Sequence, residues 1–558
     1  MNQTKTYFPG ALSLVAIGAL SACGGGDGDV ATPPVQMACA SVTTAALNLS
    51  GLAVASAVST AASGAGGLAS SYPAHCQVKG AVNQRTGIDG KSYAIGYDIR
   101  LPASGWNGKF FYSGDGGLDG AINDPLGTSA LGGKTNALSL GYAVVSSDGG
   151  HTDGAGGLDG SFGLDPQARA DYGYNALGTL TPLAKKIVTQ FYGVAPSRAY
   201  YTGCSKGGHS GLMAASRFAD QFDGIIAGNP GMDLPKASIA QIHDTQQFAT
   251  VNANIANAFA AKDLALVASK ILAKCDALDG AADGIVTDQA GCKTAFNFST
   301  DVPQCATGVT PDGTCLSAVQ KTALAAVFAG PKTSAGDVLY ADWAWDPGLV
   351  GGGWSFWKTF LNPNLGAIAM GNVWATPPVA PIGPMSAAAT SYWQNFKMDT
   401  AYTAIYGTNA TFTQSAMDFM GMPDPLNLPA LKAKGKLLVY HGTADPVFSS
   451  NHTASWYSRL QAKDTAAASY ARLFLVPGMN HCGGGTATDS FDAFTPLVDW
   501  VEKGSAPDTI VATVGAGNAD KPAAWSSTRS RPLCAYPKHA VLRSGATDLE
   551  SAASFVCQ

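Results

Sequence analysis

Charge is scarce: only 13% of the 558 residues are charged, and 34 Lys and Arg stand against 39 Asp and Glu without forming a basic block. Such a chain lacks the electrostatic footprint by which proteins neutralise phosphates, which excludes nucleic acid as a partner. Beyond the N-terminus it also lacks any apolar run of roughly eighteen residues, the length a membrane-crossing helix needs. Glycine (67) and proline (30) are plentiful but recur with no fixed period, so collagen-like and solenoid architectures are excluded. No Cys-x-x-Cys pair occurs among the 11 cysteines, which removes the usual zinc and dithiol redox motifs. No arginine stands between Arg217 and Arg459, a gap that bears on substrate choice.

What is present describes an exported globular protein. A hydrophobic content of 46% can bury a large core, and the length corresponds to roughly two to four domains. Residues 11–22 (ALSLVAIGALSA) follow Lys5 as a short apolar run, the pattern of a signal-peptide core rather than an anchor. The run ends Leu20-Ser21-Ala22-Cys23 before a Gly-rich stretch, which resembles a lipoprotein box with Cys23 as the lipidated first residue. The expected location is therefore the periplasm, the outer membrane as a lipoprotein, or the medium. Setting Cys23 aside leaves ten cysteines, an even number suited to disulfides in an oxidising compartment. Nearest-neighbour spacing suggests Cys275 with Cys292, Cys305 with Cys315 and Cys534 with Cys557; Cys39, Cys76, Cys204 and Cys482 complete the set.

Strand-like runs alternate with helical ones in the first part of the chain: YAIGYDIRLP, KFFYSG, YAVVSSD and RAYYTG, with ALGTLTPLAKKIVTQFYG between the last two. This alternation predicts an α/β fold. From 232 to 423 the pattern turns to Ala-rich helical stretches and loops that hold Trp343, Trp345, Trp354, Trp357, Trp374 and Trp393. Strand patterns resume at GKLLVYHG and ARLFLVPG. The expected organisation is a signal peptide (1–22), a tether (23–38), a discontinuous α/β domain (39–231 and 424–558) and an inserted lid (232–423).

Chemistry concentrates at the strand ends. Gly203-Cys204-Ser205-Lys206-Gly207 has the G-x-S-x-G spacing, directly after RAYYT and before the helical GHSGLMAASRF. A nucleophile elbow needs small residues two before and two after its serine, because the sharp strand-to-helix turn crowds the backbone. An acid and a base should follow in that order. Asp445 follows LLVYHGTA and His481 follows LFLVPGMN, so both sit at strand ends. Cys204 precedes the candidate nucleophile and Cys482 follows the candidate base, so a bridge between them would tie the two together. The backbone N–H of Lys206, at the start of the helix, is a candidate oxyanion donor.

Together these residues resemble the tannase and feruloyl esterase family of secreted serine esterases, whose members join the residues beside nucleophile and base by a disulfide. The likeness runs over nearly the whole mature chain through RTGIDG (85–90), WNGKFFYSGDGG (106–117), SDGGH (147–151), FGLDPQAR (162–169), CDALDGAADGIV (275–286) and LFLVPGMNHC (473–482). Within the family the motifs look most like those of bacterial hydrolases of mono(2-hydroxyethyl) terephthalate. The resemblance implies an α/β-hydrolase fold with a large lid, two-step acyl transfer through Ser205, His481 and Asp445, and Gly117 as the second oxyanion donor. It also implies a structural calcium ion held by Asp276, Asp279 and Asp283 with the carbonyls of Ala281 and Ile285. Trp357, Trp374 and Phe448 match positions that line the relatives' aromatic pocket.

Substrate choice is the finer question. Relatives that cleave the terephthalate half-ester hold its free carboxylate with a lid arginine, and this chain has none there. Their acidic residue after the nucleophile is Lys206 here, and the stretch from Trp357 to Trp374 is shorter; a lysine such as Lys358 is a candidate replacement as a point charge. The expected activity is hydrolysis of feruloyl- or galloyl-type aromatic esters, with the terephthalate half-ester as the alternative enzyme reading. Peptidase or thioesterase chemistry shares the triad, and a non-catalytic lipoprotein that binds aromatic ligands is the alternative outside enzymes.

Overall fold

Ala143–Ser147, Gly224–Gly228 and Lys436–Gly442 are short runs with apolar side chains on both faces, and nearly every residue in them is buried. Such runs are stable only as interior strands covered on two sides. In the computed structural model, which describes residues 36–64, 67, 69–154, 156–379 and 381–558, they lie inside a nine-stranded sheet. The signal segment 1–22, Cys23 and the tether up to 35 lie outside the described residues.

In chain order the strands are β1 (Leu52–Thr60), β2 (His75–Thr86), β3 (Ser92–Pro102), β4 (Lys109–Ser113), β5 (Ala143–Ser147), β6 (Arg198–Cys204), β7 (Gly224–Gly228), β8 (Lys436–Gly442) and β9 (Ala471–Val476). Their spatial order is β1-β2-β3-β5-β4-β6-β7-β8-β9. The first three and β5 pair antiparallel, and from β5 onward every neighbour is parallel. Parallel neighbours require crossovers: the one from β4 to β5 is a long irregular loop, and helices supply the later ones. Helix α1 (Ala176–Tyr192) carries the chain towards β6 and stops at Gly193, whose φ of 72° only glycine adopts without strain. Helix α2 (Lys206–Arg217) joins β6 to β7.

After β7 the chain leaves the sheet and returns only at β8. The intervening residues form helices, among them α3 (Leu234–Val251), α4 (Ala261–Cys275) and α5 (Ala318–Ala329). Their core is shared with the body: Leu118, Phe162, Tyr172, Val447 and Phe448 pack into the same cluster as Trp354, Trp374 and Phe419. Gln36–Gln558 accordingly forms one compact unit. On one face of the sheet Val145, Tyr201, Ile225 and Val439 pack with α1, α2 and α6 (Ser450–Lys463); on the other Tyr200, Ile226 and Leu438 meet α7 (Phe494–Lys503).

The register matters for function. Cys204 pairs with Gly228, Gly228 with Tyr440, and Gly442 with Val476, so the loops after β6, β7, β8 and β9 leave the sheet along one edge. Five disulfides lock the fold: Cys39–Cys76, Cys204–Cys482, Cys275–Cys292, Cys305–Cys315 and Cys534–Cys557. Among the described residues no helix is long and apolar enough to cross a membrane.

Candidate active site

The turn after β6 is strained. Ser205 adopts φ 66°, ψ −123°, a region that costs a non-glycine residue of order 1–3 kcal/mol. The surroundings impose it: the Ser205 N–H donates to the Gly228 carbonyl at 3.0 Å, and its own carbonyl accepts from the His209 N–H at 3.0 Å. The flanking glycines are required by space. A Cβ on Gly203 would stand 2.6 Å from the Gly207 carbonyl oxygen, and one on Gly207 would stand 2.5 Å from that of Asp115. The result is a serine hydroxyl presented at the N-terminus of α2.

His481 follows β9 and reaches back over this turn. Its Nε2 lies 2.8 Å from Ser205 Oγ, and its Nδ1 lies 2.9 Å and 3.1 Å from the two carboxylate oxygens of Asp445. An ionised carboxylate only accepts, so Nδ1 carries the proton and Nε2 is free to accept the Ser205 hydroxyl. Asp445 follows β8 and is buried. Its oxygens also accept from Asn229 Nδ2 at 2.7 Å and from the N–H groups of Val447 (2.7 Å) and Phe448 (3.2 Å), while His441 Nε2 lies 3.3 Å away. Burial alone raises a carboxyl pKa, but His481 and His441 outweigh it and hold Asp445 well below the usual carboxylate range. The Cys204–Cys482 bridge joins the residue before Ser205 to the residue after His481.

Two aromatic rings flank the imidazole. Trp357 and Phe448 stand edge-on to His481, with centroids at 4.8 Å and 5.3 Å. Trp357 opens a wide helical turn (Trp357–Leu361) of the π type, a distortion that often accompanies functional sites. Trp374 sits elsewhere: it has no accessible surface, packs against Tyr172 and Phe419, and donates its indole N–H to Ser238 Oγ at 3.0 Å. Of the three pocket aromatics expected from sequence, the structure brings two to the imidazole and puts the third in the core. Gly117, at φ 63°, lies in the loop after β4, and that loop presses on the start of α2 through Gly114 and Asp115 against Gly207.

The chain matches known proteins along most of its length. The model of the tannase and feruloyl esterase family covers residues 76–558. The chain is 41% identical over 529 residues to the mono(2-hydroxyethyl) terephthalate hydrolase of Piscinibacter sakaiensis, covering 88% of this chain and 85% of that protein. It belongs to the tannase and feruloyl esterase family. It is also 28% identical over 452 residues to a probable feruloyl esterase B-2 of Aspergillus flavus, spanning 75% of this chain and 76% of the relative. Among solved structures, feruloyl esterase B from Aspergillus oryzae superposes with a TM-score of 0.70 at 22% identity, over 93% of this chain and 99% of that one. Tannin acyl hydrolase from Aspergillus niger gives 0.67 at 22% identity, over 91% and 92%. The fold is thus of the α/β-hydrolase type, and the family makes the protein a carboxylic-ester hydrolase.

Seen as a family member, the chain departs from expectation at Lys358. Its ammonium pairs with Asp244, both side chains are about 1% exposed, and the Trp343 ring lies 3.8 Å below it. A lysine so neutralised is not free to hold a substrate carboxylate, which corrects the role entertained from sequence. In the acidic loop, Asp276 accepts from the N–H groups of Asp283 (3.2 Å) and Gly284 (2.9 Å), Asp279 from Ala281 N–H (2.9 Å) and the Thr287 hydroxyl (2.7 Å), and Asp283 pairs with Arg531. Burial, with added repulsion from Asp283 and Asp276, pushes Asp279 up to about 6. Among the described residues no three His, Cys, Asp or Glu side chains converge as a metal-binding group; the donors the loop offers are hard oxygens, the type calcium takes.

Asn229 and the contact of His441 with Asp445 were not legible as site features. Asn229 belongs to no motif, and only the β6-β7-β8 order reveals that the residue after β7 must lie between Ser205 and Asp445.

Proposed function

We propose that the protein is an exported serine esterase that hydrolyses esters of aromatic acids of the feruloyl or galloyl type. The observation that carries this reading is the imidazole of His481, set between Ser205 and Asp445 and flanked by Trp357 and Phe448. In the proposed mechanism Nε2 takes the Ser205 proton as Oγ attacks the ester carbonyl. The oxyanion meets the N–H groups of Lys206 and Gly117. Collapse expels the alcohol, which receives the proton from His481, and leaves an acyl ester on Ser205. Water then attacks with the same imidazole as base, releasing the acid and restoring Ser205. Flat acyl groups suit the Trp357 and Phe448 walls, because ring against ring buries area and gains edge-to-face attraction.

The 41% identity to a mono(2-hydroxyethyl) terephthalate hydrolase supports a second reading, hydrolysis of that half-ester. Measuring kcat/KM for wild type and Ser205→Ala on methyl ferulate, methyl gallate and mono(2-hydroxyethyl) terephthalate decides between them. The first reading expects fast Ser205-dependent turnover of the methyl esters; a half-ester turned over fastest would replace it with the second.

A structural calcium ion on Asp276, Asp279 and Asp283 with the Ala281 and Ile285 carbonyls is part of the same proposal, resting on the hard oxygen donors of this loop. It would offset the repulsion among these carboxylates and cross-brace a loop already closed by Cys275–Cys292. A chelator should lower Tm and added calcium restore it; an unchanged Tm would count against the ion. Export is supported by the five disulfides, and lipidation at Cys23 remains part of the proposal, testable by metabolic labelling with a fatty acid.

A further inference from the structure

Lys206 stands in the first turn of α2, where the helix dipole disfavours a cation, and its side chain is nonetheless 8% exposed. A buried lysine at that position needs compensation, and the structure supplies it from the loop that carries Gly117. The Lys206 ammonium donates to Asp119 Oδ2 and lies 4.5 Å from the centroid of the Tyr172 ring. Tyr172 in turn donates its hydroxyl to the Gly117 carbonyl at 3.0 Å. Asp119 is two residues after Gly117, itself at a positive φ of 49°, and closes the turn by donating its N–H to the Gly116 carbonyl at 3.0 Å. One ammonium therefore grips the loop of one oxyanion donor from the residue that bears the other.

The neighbourhood is built around this contact. A Cβ on Gly149 would stand 2.5 Å from Asp119 Oδ2, and the Gly120 N–H donates to the Asp148 carbonyl at 2.7 Å. Gly149 thus makes room for the Asp119 carboxylate, and Asp148, just after β5, ties its loop to the sheet. The other Asp119 oxygen is buried without a hydrogen-bond partner, so Lys206 is what balances its charge. Asp115 and Asp148 also face this spot, with Tyr172, Tyr201, His151 and His209 around them. Without the ammonium, the oxyanion would form in front of a group of carboxyls.

We propose that the Lys206 side chain is a positioning residue for ester hydrolysis: through Asp119 and Tyr172 it fixes the Gly117 loop against the Lys206 amide and screens the oxyanion from the acids behind it. The inference rests on Ser205 being the nucleophile.

The test compares Lys206→Met, Asp119→Asn and the double variant on methyl ferulate, with an aryl trifluoromethyl ketone as a probe that forms a tetrahedral oxyanion on the serine. Lys206→Met is expected to lower kcat about tenfold or more, keep KM within about twofold, and weaken the ketone by the same factor as kcat. The double variant, with no charge left uncompensated, should be more active than Lys206→Met. Should Lys206→Met fail to fold, the double variant is judged against wild type, where a kcat reduced more than about threefold at unchanged KM supports the brace. The proposal is overturned if kcat stays within about twofold of wild type in Lys206→Met and in the double variant, or if kcat falls while ketone affinity holds. Ser205→Ala and covalent labelling of Ser205 by a fluorophosphonate run alongside: their failure sinks the serine reading, whereas their success with an unaffected Lys206→Met sinks only this one.

Discussion

Replacing Lys358 by methionine separates a structural lysine from a substrate-binding one. The ammonium and the Asp244 carboxylate are each about 1% exposed and in contact, with Trp343 beneath the charge and His243 Nδ1 3.4 Å from the other Asp244 oxygen. Methionine keeps the length and apolar stem but leaves Asp244 buried without its cation, a loss of about 3–5 kcal/mol. At roughly 2.1 cal/mol/K per residue, the unit Gln36–Gln558 unfolds with an entropy of about 1.1 kcal/mol/K. Lys358→Met should therefore lower Tm by about 3–5 °C in calorimetry at neutral pH. Lys358→Met with Asp244→Asn should recover much of this, because no lone charge remains buried. The ratio of kcat/KM for mono(2-hydroxyethyl) terephthalate to that for methyl ferulate should not move in either variant. If Lys358→Met keeps its Tm and selectively loses the half-ester, Lys358 reaches the substrate and the reasoning from burial is wrong.

Replacing Cys204 and Cys482 by alanine should cost about 2–5 kcal/mol of stability and lower kcat well below Tm, since the bridge fixes Ser205 against His481; wild-type kcat at 25 °C would mean the hydrogen-bonded triad holds itself. Gly207→Ala should reduce kcat by about a hundredfold or more, because its Cβ meets the Asp115 carbonyl at 2.5 Å and backbone has to move; steady-state kinetics on the folded variant checks this. Asp148 gives the pH dependence. Burial and the charge of Asp119 outweigh the Gly150 and Gly96 N–H groups and raise its pKa to about 7, above its unfolded value of roughly 3.9. The folded state thus holds the extra proton, and this stability is full below about pH 4 and lost as pH rises through about 7. Asp148→Asn should therefore compare better with wild type in Tm at pH 8 than at pH 5, and the opposite order would refute the shift.

The parts of this protein that could be read from sequence are those whose local chemistry repeats. KFFYSG, RAYYTG, KLLVYHG and ARLFLVPG are short runs of aromatic and aliphatic residues closed by glycine, and they are β4, β6, β8 and β9. The elbow was legible because a strained serine demands glycines at fixed offsets. The strand GIIAG (β7) was not, since five residues with a glycine at each end give no period. Nor was LAVASAVST (β1), an Ala- and Ser-rich edge strand whose pairing with β2 decides its state. The same limit explains Asn229, Asp119 and Tyr172: each matters through a partner far along the chain, and single-residue chemistry does not name that partner. Trp374 shows the same limit from the other side. It is an aromatic in the expected segment, but its indole is fully buried and donates to Ser238 Oγ, a partner 136 residues earlier that sequence does not name.

Whether a substrate carboxylate is tolerated follows from where the buried cations are already committed. Among the described residues five Lys or Arg side chains are buried: Arg169, Lys206, Lys358, Arg529 and Arg531. Lys206 is held by Asp119, Lys358 by Asp244, Arg529 by Glu550 and Arg531 by Asp283. Arg169 donates to the carbonyls of Gly163, Asn372 and Ala375. A half-ester that lays its ring against Trp357 and Phe448 brings an anion with none of these cations free to meet it, and an unpaired charge taken from water costs several kcal/mol. The matched neutral substrate is bis(2-hydroxyethyl) terephthalate, which has the same ring, acyl carbon and leaving alcohol. We expect its kcat/KM to exceed that of the half-ester by about a hundredfold, equivalent to about 2.7 kcal/mol. Equal values for the two would mean that the carboxylate stays in water or finds a cation from the exposed set, and the argument from committed charges would fall with it.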